Sequence, residues 1–193
     1  MKASYTITAL IAGILTGALM RETDITMRFL DPLLFALILQ VGIEVGLKYE
    51  NLRKAIEILK NQLYLPIITI IASTISGIIG AMILNIDYRL TLAISLGMGW
   101  YSFTGAYVTA KVNPYYGAIA FIANMLRETA TMIITPILPK RLRKAGIIIG
   151  GATTMDTTLP IITKSLGEEN IMVSLYHGLI ITIIIPLILS III

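Results

Sequence analysis

The chain has no cysteine and a single histidine in 193 residues. Disulfides, thiolate metal sites and cysteine nucleophiles are therefore excluded, and one histidine cannot build a histidine-rich metal centre. Charge is also scarce. Charged residues make up 13% of the chain, against about 25% in soluble domains. No phosphate loop, nucleophile elbow or His-Glu-x-x-His pattern occurs, so an enzyme is not expected and no cofactor is called for. The net charge of +4 comes from lysines and arginines in short loops, which does not suggest a nucleic-acid partner. No linker, low-complexity segment or composition shift divides the chain, so residues 1–193 read as a single domain.

Hydrophobic residues, by contrast, make up 56% of the chain, and the mean hydropathy is +0.87. A soluble domain averages about 45–50% apolar residues, and one of this length could not hide so much apolar surface. The bilayer is the expected solvent. The chain has length for roughly six to eight membrane segments of about 20 residues, with none left for a soluble domain.

The segments follow one another closely. Ser4 to Met20 is an uncharged run long enough to span. Asp31-Pro32 opens a second segment, as a cap followed by proline in the first turn. It runs to about Leu47 and contains Gln40 and Glu44, the latter four residues before Lys48 and so able to pair with it. Residues 48–62 carry mixed charge with Leu52, Ile56, Leu59 and Leu63 at helical spacing, the pattern of a surface helix. Leu63 to Leu84, Gly117 to Leu138 and Ile171 to Ile193 are further spans. Two stretches between them are broken. Gly97 to Gly105 (GMGWYSFTG) mixes glycine, hydroxyls and aromatics, and Gly150 to Pro160 (GGATTMDTTLP) joins two glycines, four threonines, Asp156 and a closing proline. Glycine loosens a helix and proline stops one. Broken backbone inside a membrane is tolerated only where protein buries it or where it lines a watery cavity.

Loop charge gives an orientation. Lys48, Arg53, Lys54 and Lys60 lie in one loop and Lys140, Arg141, Arg143 and Lys144 in another, and cytoplasmic loops are enriched in such residues. Both loops should face the cytoplasm, yet three apolar segments separate them. One segment must then dip in and return, and the glycine-broken segment around Trp100 is the natural choice. By analogy the Asp156 segment is a second hairpin, entering from the opposite side. Residues 63–112 and 116–165 then form two units of opposite orientation, the inverted-repeat logic of secondary transporters, with their tips meeting near the midplane. The expected fold is an all-α integral membrane protein with about five full transmembrane helices and two oppositely oriented broken or re-entrant segments. The competing reading keeps both broken segments as full crossings.

The residues that could carry chemistry cluster at these breaks. Asn124, Glu128, Thr131 and Thr135 fall at i, i+4, i+7 and i+11, one polar stripe facing the interior. Arg127 and Glu128 sit mid-segment, where a charge costs at least ~2.5 kcal/mol. They lock the bundle as a pair with each other or with Asp156, or they face the transport path. Asp156 has no positive neighbour in sequence and must find Arg127, a bound cation or a proton. Thr153, Thr154 and Thr157 supply hydroxyls around it. Trp100 and Tyr101, followed by Ser102, form either a cation–π wall or ordinary packing. His177 is expected to be hydrogen-bonded structure within the last span.

Taken together, Gly99-Trp100-Tyr101-Ser102 with Gly105, Ala123-Asn124 with Arg127-Glu128, the run Gly151 to Pro160, and His177-Gly178 with Pro186 resemble the lysine exporter LysO family in order and spacing. The resemblance implies a multi-pass carrier in the cell membrane that exports L-lysine, and lysine analogues, under a proton or sodium gradient. It also implies that Asp156 is needed for transport. Lysine suits the residues: Asp156 and Glu128 match its ammonium groups, and Arg127 or free N–H groups at a tip match its carboxylate. Longer members of that family carry further segments ahead of this region, which implies a homo-oligomer or a second small membrane subunit. The residues alone leave open a carrier for another small organic ion, a cation/proton antiporter with Asp156 as the ion site, and a structural subunit.

Overall fold

A computed structural model of the chain describes residues 62–193, together with the helical positions Ala12, Pro32, Leu33, Phe35, Ala36, Leu39 and Ile43. The expected spans over residues 4–20 and 31–47 otherwise lie outside the described residues, as do Gln40, Glu44, Lys48 and the surface helix before Gln62. Among the described residues every regular element is helical.

Among the described residues three helices are long and apolar enough to cross a membrane. The first, α1, runs Tyr64–Leu84 and ends at Asn85 in the left-handed region, φ 53°, a conformation asparagine tolerates after a helix. Its buried side repeats every fourth residue as Leu65, Thr69, Ser73 and Gly77. Its isoleucines at 67, 68, 71, 75, 78 and 79 are exposed, as a lipid-facing side requires.

A broken segment follows. Asp87 caps α2 (Tyr88–Ser95) by accepting from the amides of Arg89 and Leu90. The chain unwinds through Leu96 to Trp100, then re-forms as α3 (Tyr101–Lys111). Asn113 caps the second long helix, α4 (Pro114–Ile137), with Pro114 in the first turn, where a missing N–H costs nothing.

The second break has the same plan. A short α5 (Ala145–Gly150) gives way to a 3-10 turn over Gly151–Met155, and α6 (Leu159–Leu166) follows with Pro160 near its start. The third long helix, α7, runs Ile171–Ile192.

The packing shows where the ends go. Leu90 at the start of α2 clusters with Val108 near the end of α3 and with Ala120 of α4, and Ile86, Tyr116 and Ile193 pack against them. At the other end of the bundle Leu65, Ile147, Ile162 and Val173 cluster. There Arg143, just ahead of α5, donates to the carbonyl of Ser165 near the end of α6 at 2.7 Å. Between these ends lies a central cluster of Leu96, Met98, Phe103, Tyr107, Ala152, Ile181, Ile185 and Leu189. It joins the two breaks to α7.

Candidate functional site

The two breaks touch. The amide of Ala152 donates to the carbonyl of Met98 at 2.9 Å. Met98 and Gly99 hold φ of 42° and 92°, and Gly151 holds 59°, conformations that L side chains adopt at a cost. A methyl group on Gly151 would strike the Met98 carbonyl, and one on Gly99 would press on the Gly150 carbonyl. Close approach and positive φ together require glycine at 99 and 151.

Unwound backbone in a membrane must find internal partners, and here it does. Asn124 holds the first break: its Oδ1 accepts from the Gly99 amide at 2.8 Å, and its Nδ2 donates to the carbonyls of Ile94 at 2.9 Å and Ala120 at 3.0 Å. Arg127 donates to the carbonyls of Ile149 at 2.7 Å and Ile148 at 3.2 Å, and to the Ser73 hydroxyl at 2.8 Å. It also reaches the Ser95 carbonyl at 3.5 Å. In the second break Thr153 Oγ1 donates to the Gly150 carbonyl at 2.9 Å and lies 3.3 Å from the Thr158 hydroxyl. Thr154 Oγ1 lies 2.9 Å from the carbonyls of Gly151 and Ser174 and 3.2 Å from His177 Nδ1. The far ring nitrogen of His177 shares a 2.9 Å hydrogen bond with Thr69. His177 therefore bridges α1 and the second break, fully buried.

The charged residues separate into different surroundings. Every recorded hydrogen bond of Arg127 goes to a neutral oxygen, not to the carboxylate expected of it. Its neighbours are backbone carbonyls freed by the breaks, which sequence spacing does not display. Glu128 is buried with the rest of its stripe, Asn124, Thr131 and Thr135. Asp156 is exposed, and Arg127, one of the partners expected for it, bonds elsewhere. Asp156 accepts from the amide of Thr157 at 2.5 Å and lies 3.3 Å from that residue's hydroxyl. Tyr101 is half-buried. Ser102 and Thr157 are exposed, as Asp156 is.

Trp100 stacks on Phe103, ring centroids 4.7 Å apart, against the central apolar cluster. Tyr101 meets the edge of Phe121 at 5.1 Å. Packing explains the orientation of both rings. A cavity of about 500 Å³ lies between α1, α2, α4 and α5. It runs from Leu84, Ile86 and Tyr116 at the end of the bundle down to Asn124 and Arg127. Thr69 and Ser73 were not singled out from the sequence. Their signal is the i, i+4 spacing of hydroxyls in an otherwise aliphatic span.

Comparison with known proteins adds to this geometry. Residues 7–193 match the family described as Lysine exporter LysO. The chain is 30% identical over 157 residues to Lysine exporter LysO of Escherichia coli (strain K12), covering 81% of this chain and 52% of that protein. It is 34% identical over 156 residues to a protein of Haemophilus influenzae named "Putative lysine exporter", covering 81% of this chain and 80% of that one. The chain thus spans about half the length of the E. coli relative. No solved structure matches it.

Proposed function

The chain belongs to the lysine exporter LysO family, and on that premise we propose that it carries L-lysine out of the cytoplasm. The observation that carries this reading is the junction of the two breaks, with Asp156 exposed in the second break and Glu128 buried on the helix whose Asn124 holds the first. An amino acid with a second ammonium group needs acidic partners along its path, and these two carboxylates supply them. Asp156 is the first contact, because it is exposed and, among the described residues, its Oδ1 is engaged by Thr157 alone. Glu128, buried, holds the deeper position. Either group can take up a proton or hold a cation, so an ion gradient can drive the cycle. Lysine analogues with the same ammonium groups share the path.

The architecture behind this proposal is an inverted repeat. α2–α3 and α5–α6 are read as hairpins that enter from opposite faces, because the ends of each lie side by side while their breaks meet. Lys140, Arg141, Arg143, Lys144 and Lys164 lie at the end where α1 begins, and Lys144 reaches Gln62 there at 3.5 Å. Positive charge assigns that end to the cytoplasm of a multi-pass protein in the cell membrane. Arg89 and Lys111 mark the outer end. With the two spans expected before residue 62, the full count is five crossings and two hairpins. Assembly as a homo-oligomer or with a second small subunit belongs to the same proposal.

The test is efflux of labelled L-lysine from proteoliposomes that hold this chain alone, with and without a proton gradient. Saturable efflux is expected. Correctly folded protein that moves no lysine, either alone or co-reconstituted with small membrane proteins of the same cell, would refute the proposal.

A further inference from the structure

Arg127 sits where two helix ends converge. Ile148 and Ile149 belong to the last turn of α5, and Ser95 is the last residue of α2. Carbonyls in the last turn of a helix lack an intrahelical partner and carry the negative end of the helix dipole. The guanidinium reaches three helix-end carbonyls, of which that of Ser95 also accepts from the Met98 amide and that of Ile148 from the Thr69 hydroxyl, with the Ser73 hydroxyl as a fourth oxygen. In carriers built from interrupted helices, unwound carbonyls and half-helix C-termini coordinate the coupling cation. A cage of neutral oxygens is the chemistry of a hard monovalent cation. Here a side chain fills that cage.

We infer that Arg127 is a tethered cation: its guanidinium permanently occupies the oxygen cage formed by the ends of α2 and α5, in place of a free sodium ion. The fixed charge holds the two entering half-helices together without any ion from solution. A guanidinium has five N–H donors, and the four hydrogen bonds recorded here leave little with which to grip a substrate carboxylate in two-pronged fashion. Arg127 is thus a positioning residue. The cavity of about 500 Å³ that ends at it gives small solutes a route to the cage once the side chain is removed. The inference rests on the carbonyl geometry rather than on the substrate. Failure of lysine efflux would refute the proposed function and leave the salt responses below unchanged.

The experiment is thermal unfolding of the purified full chain in nanodiscs, in sodium chloride against choline chloride at equal ionic strength. In an Asp156→Asn, Glu128→Gln background, which removes the carboxylates able to hold a coupling ion, the midpoint with Arg127 intact is expected to be the same in both salts. Arg127→Ala is expected to unfold earlier in choline. Millimolar sodium or methylguanidinium should recover at least half of that loss in a saturable way, as a ligand of the native state does. Arg127→Lys keeps a point charge, so it should lose less and ignore sodium. If Arg127→Ala folds only when a small cation is present throughout purification, the same rescue is read as yield. Saturable stabilisation by sodium of the Asp156→Asn, Glu128→Gln chain with Arg127 intact would overturn the inference. So would an Arg127→Ala protein that no small cation restores.

Discussion

The Ala152 amide and the Met98 carbonyl, 2.9 Å apart, join two breaks more than fifty positions apart in the chain. Neither break could close this way with a side chain at Gly151, whose added methyl would collide with that same carbonyl. Gly151→Ala should therefore destabilise the protein by about 1–3 kcal/mol, since positive φ and the collision act together. Gly80→Ala is the control. A methyl there meets nothing within 4 Å, so the helix should gain up to about 1 kcal/mol. Thermal unfolding midpoints in one detergent compare the two directly.

Asn124 makes the first break possible. Asn124→Leu leaves the Gly99 amide and the Ile94 carbonyl without their side-chain partner, at about 1–3 kcal/mol for each buried group left unsatisfied. Asn124→Asp keeps the acceptor for Gly99 but sets a carboxylate oxygen against two carbonyls. Both variants should unfold earlier than the wild type, and lysine efflux should fall with them.

Much of this region was legible in the sequence, for a physical reason. Glycine clusters, hydroxyls and Pro160 inside apolar runs have no other economical use in a membrane than a break. The i, i+4 logic of Asn124, Glu128, Thr131 and Thr135 requires one helix face, and all four are buried. His177 as hydrogen-bonded structure followed from its isolation, although its partners Thr69 and Thr154 did not. Arg127 marks the limit. Sequence suggests a carboxylate for a buried guanidinium, because acidic residues are visible as letters and freed carbonyls are not. Its oxygens at Ile148 and Ile149 exist only once α5 stops at Gly150. Asp156 was legible as the one carboxylate of the second break, but its exposure there depends on the unwinding around it, which spacing does not display.

His177 ties α1 to the second break through Thr69 and Thr154. His177→Phe keeps the bulk and removes both bonds, which should cost about 1–3 kcal/mol. Thr69→Val removes one of them. The double variant should cost less than the sum of the single ones, as expected for residues in one network. A double-mutant cycle on unfolding free energies measures the coupling, and strict additivity would show that the bridge contributes nothing.

The native chain has no cysteine, so single cysteines report topology without background. Arg89, Lys111, Arg141 and Lys164 are all exposed. A membrane-impermeant maleimide applied to intact cells should label Arg89→Cys and Lys111→Cys. Arg141→Cys and Lys164→Cys should react only after permeabilisation. Lys111→Cys and Arg89→Cys labelled from opposite sides would mean that α2 and α3 together cross the membrane rather than return.

The measurement closest to the centre of the account is lysine efflux by Asp156→Asn beside the wild type, with the unfolding midpoint of each. Asp156 is exposed and bonds only to Thr157, so the substitution should leave the fold and its midpoint nearly unchanged. Efflux should be abolished, because the carboxylate that meets the substrate's ammonium group is gone. Wild-type rates of efflux from a folded Asp156→Asn protein would contradict the account.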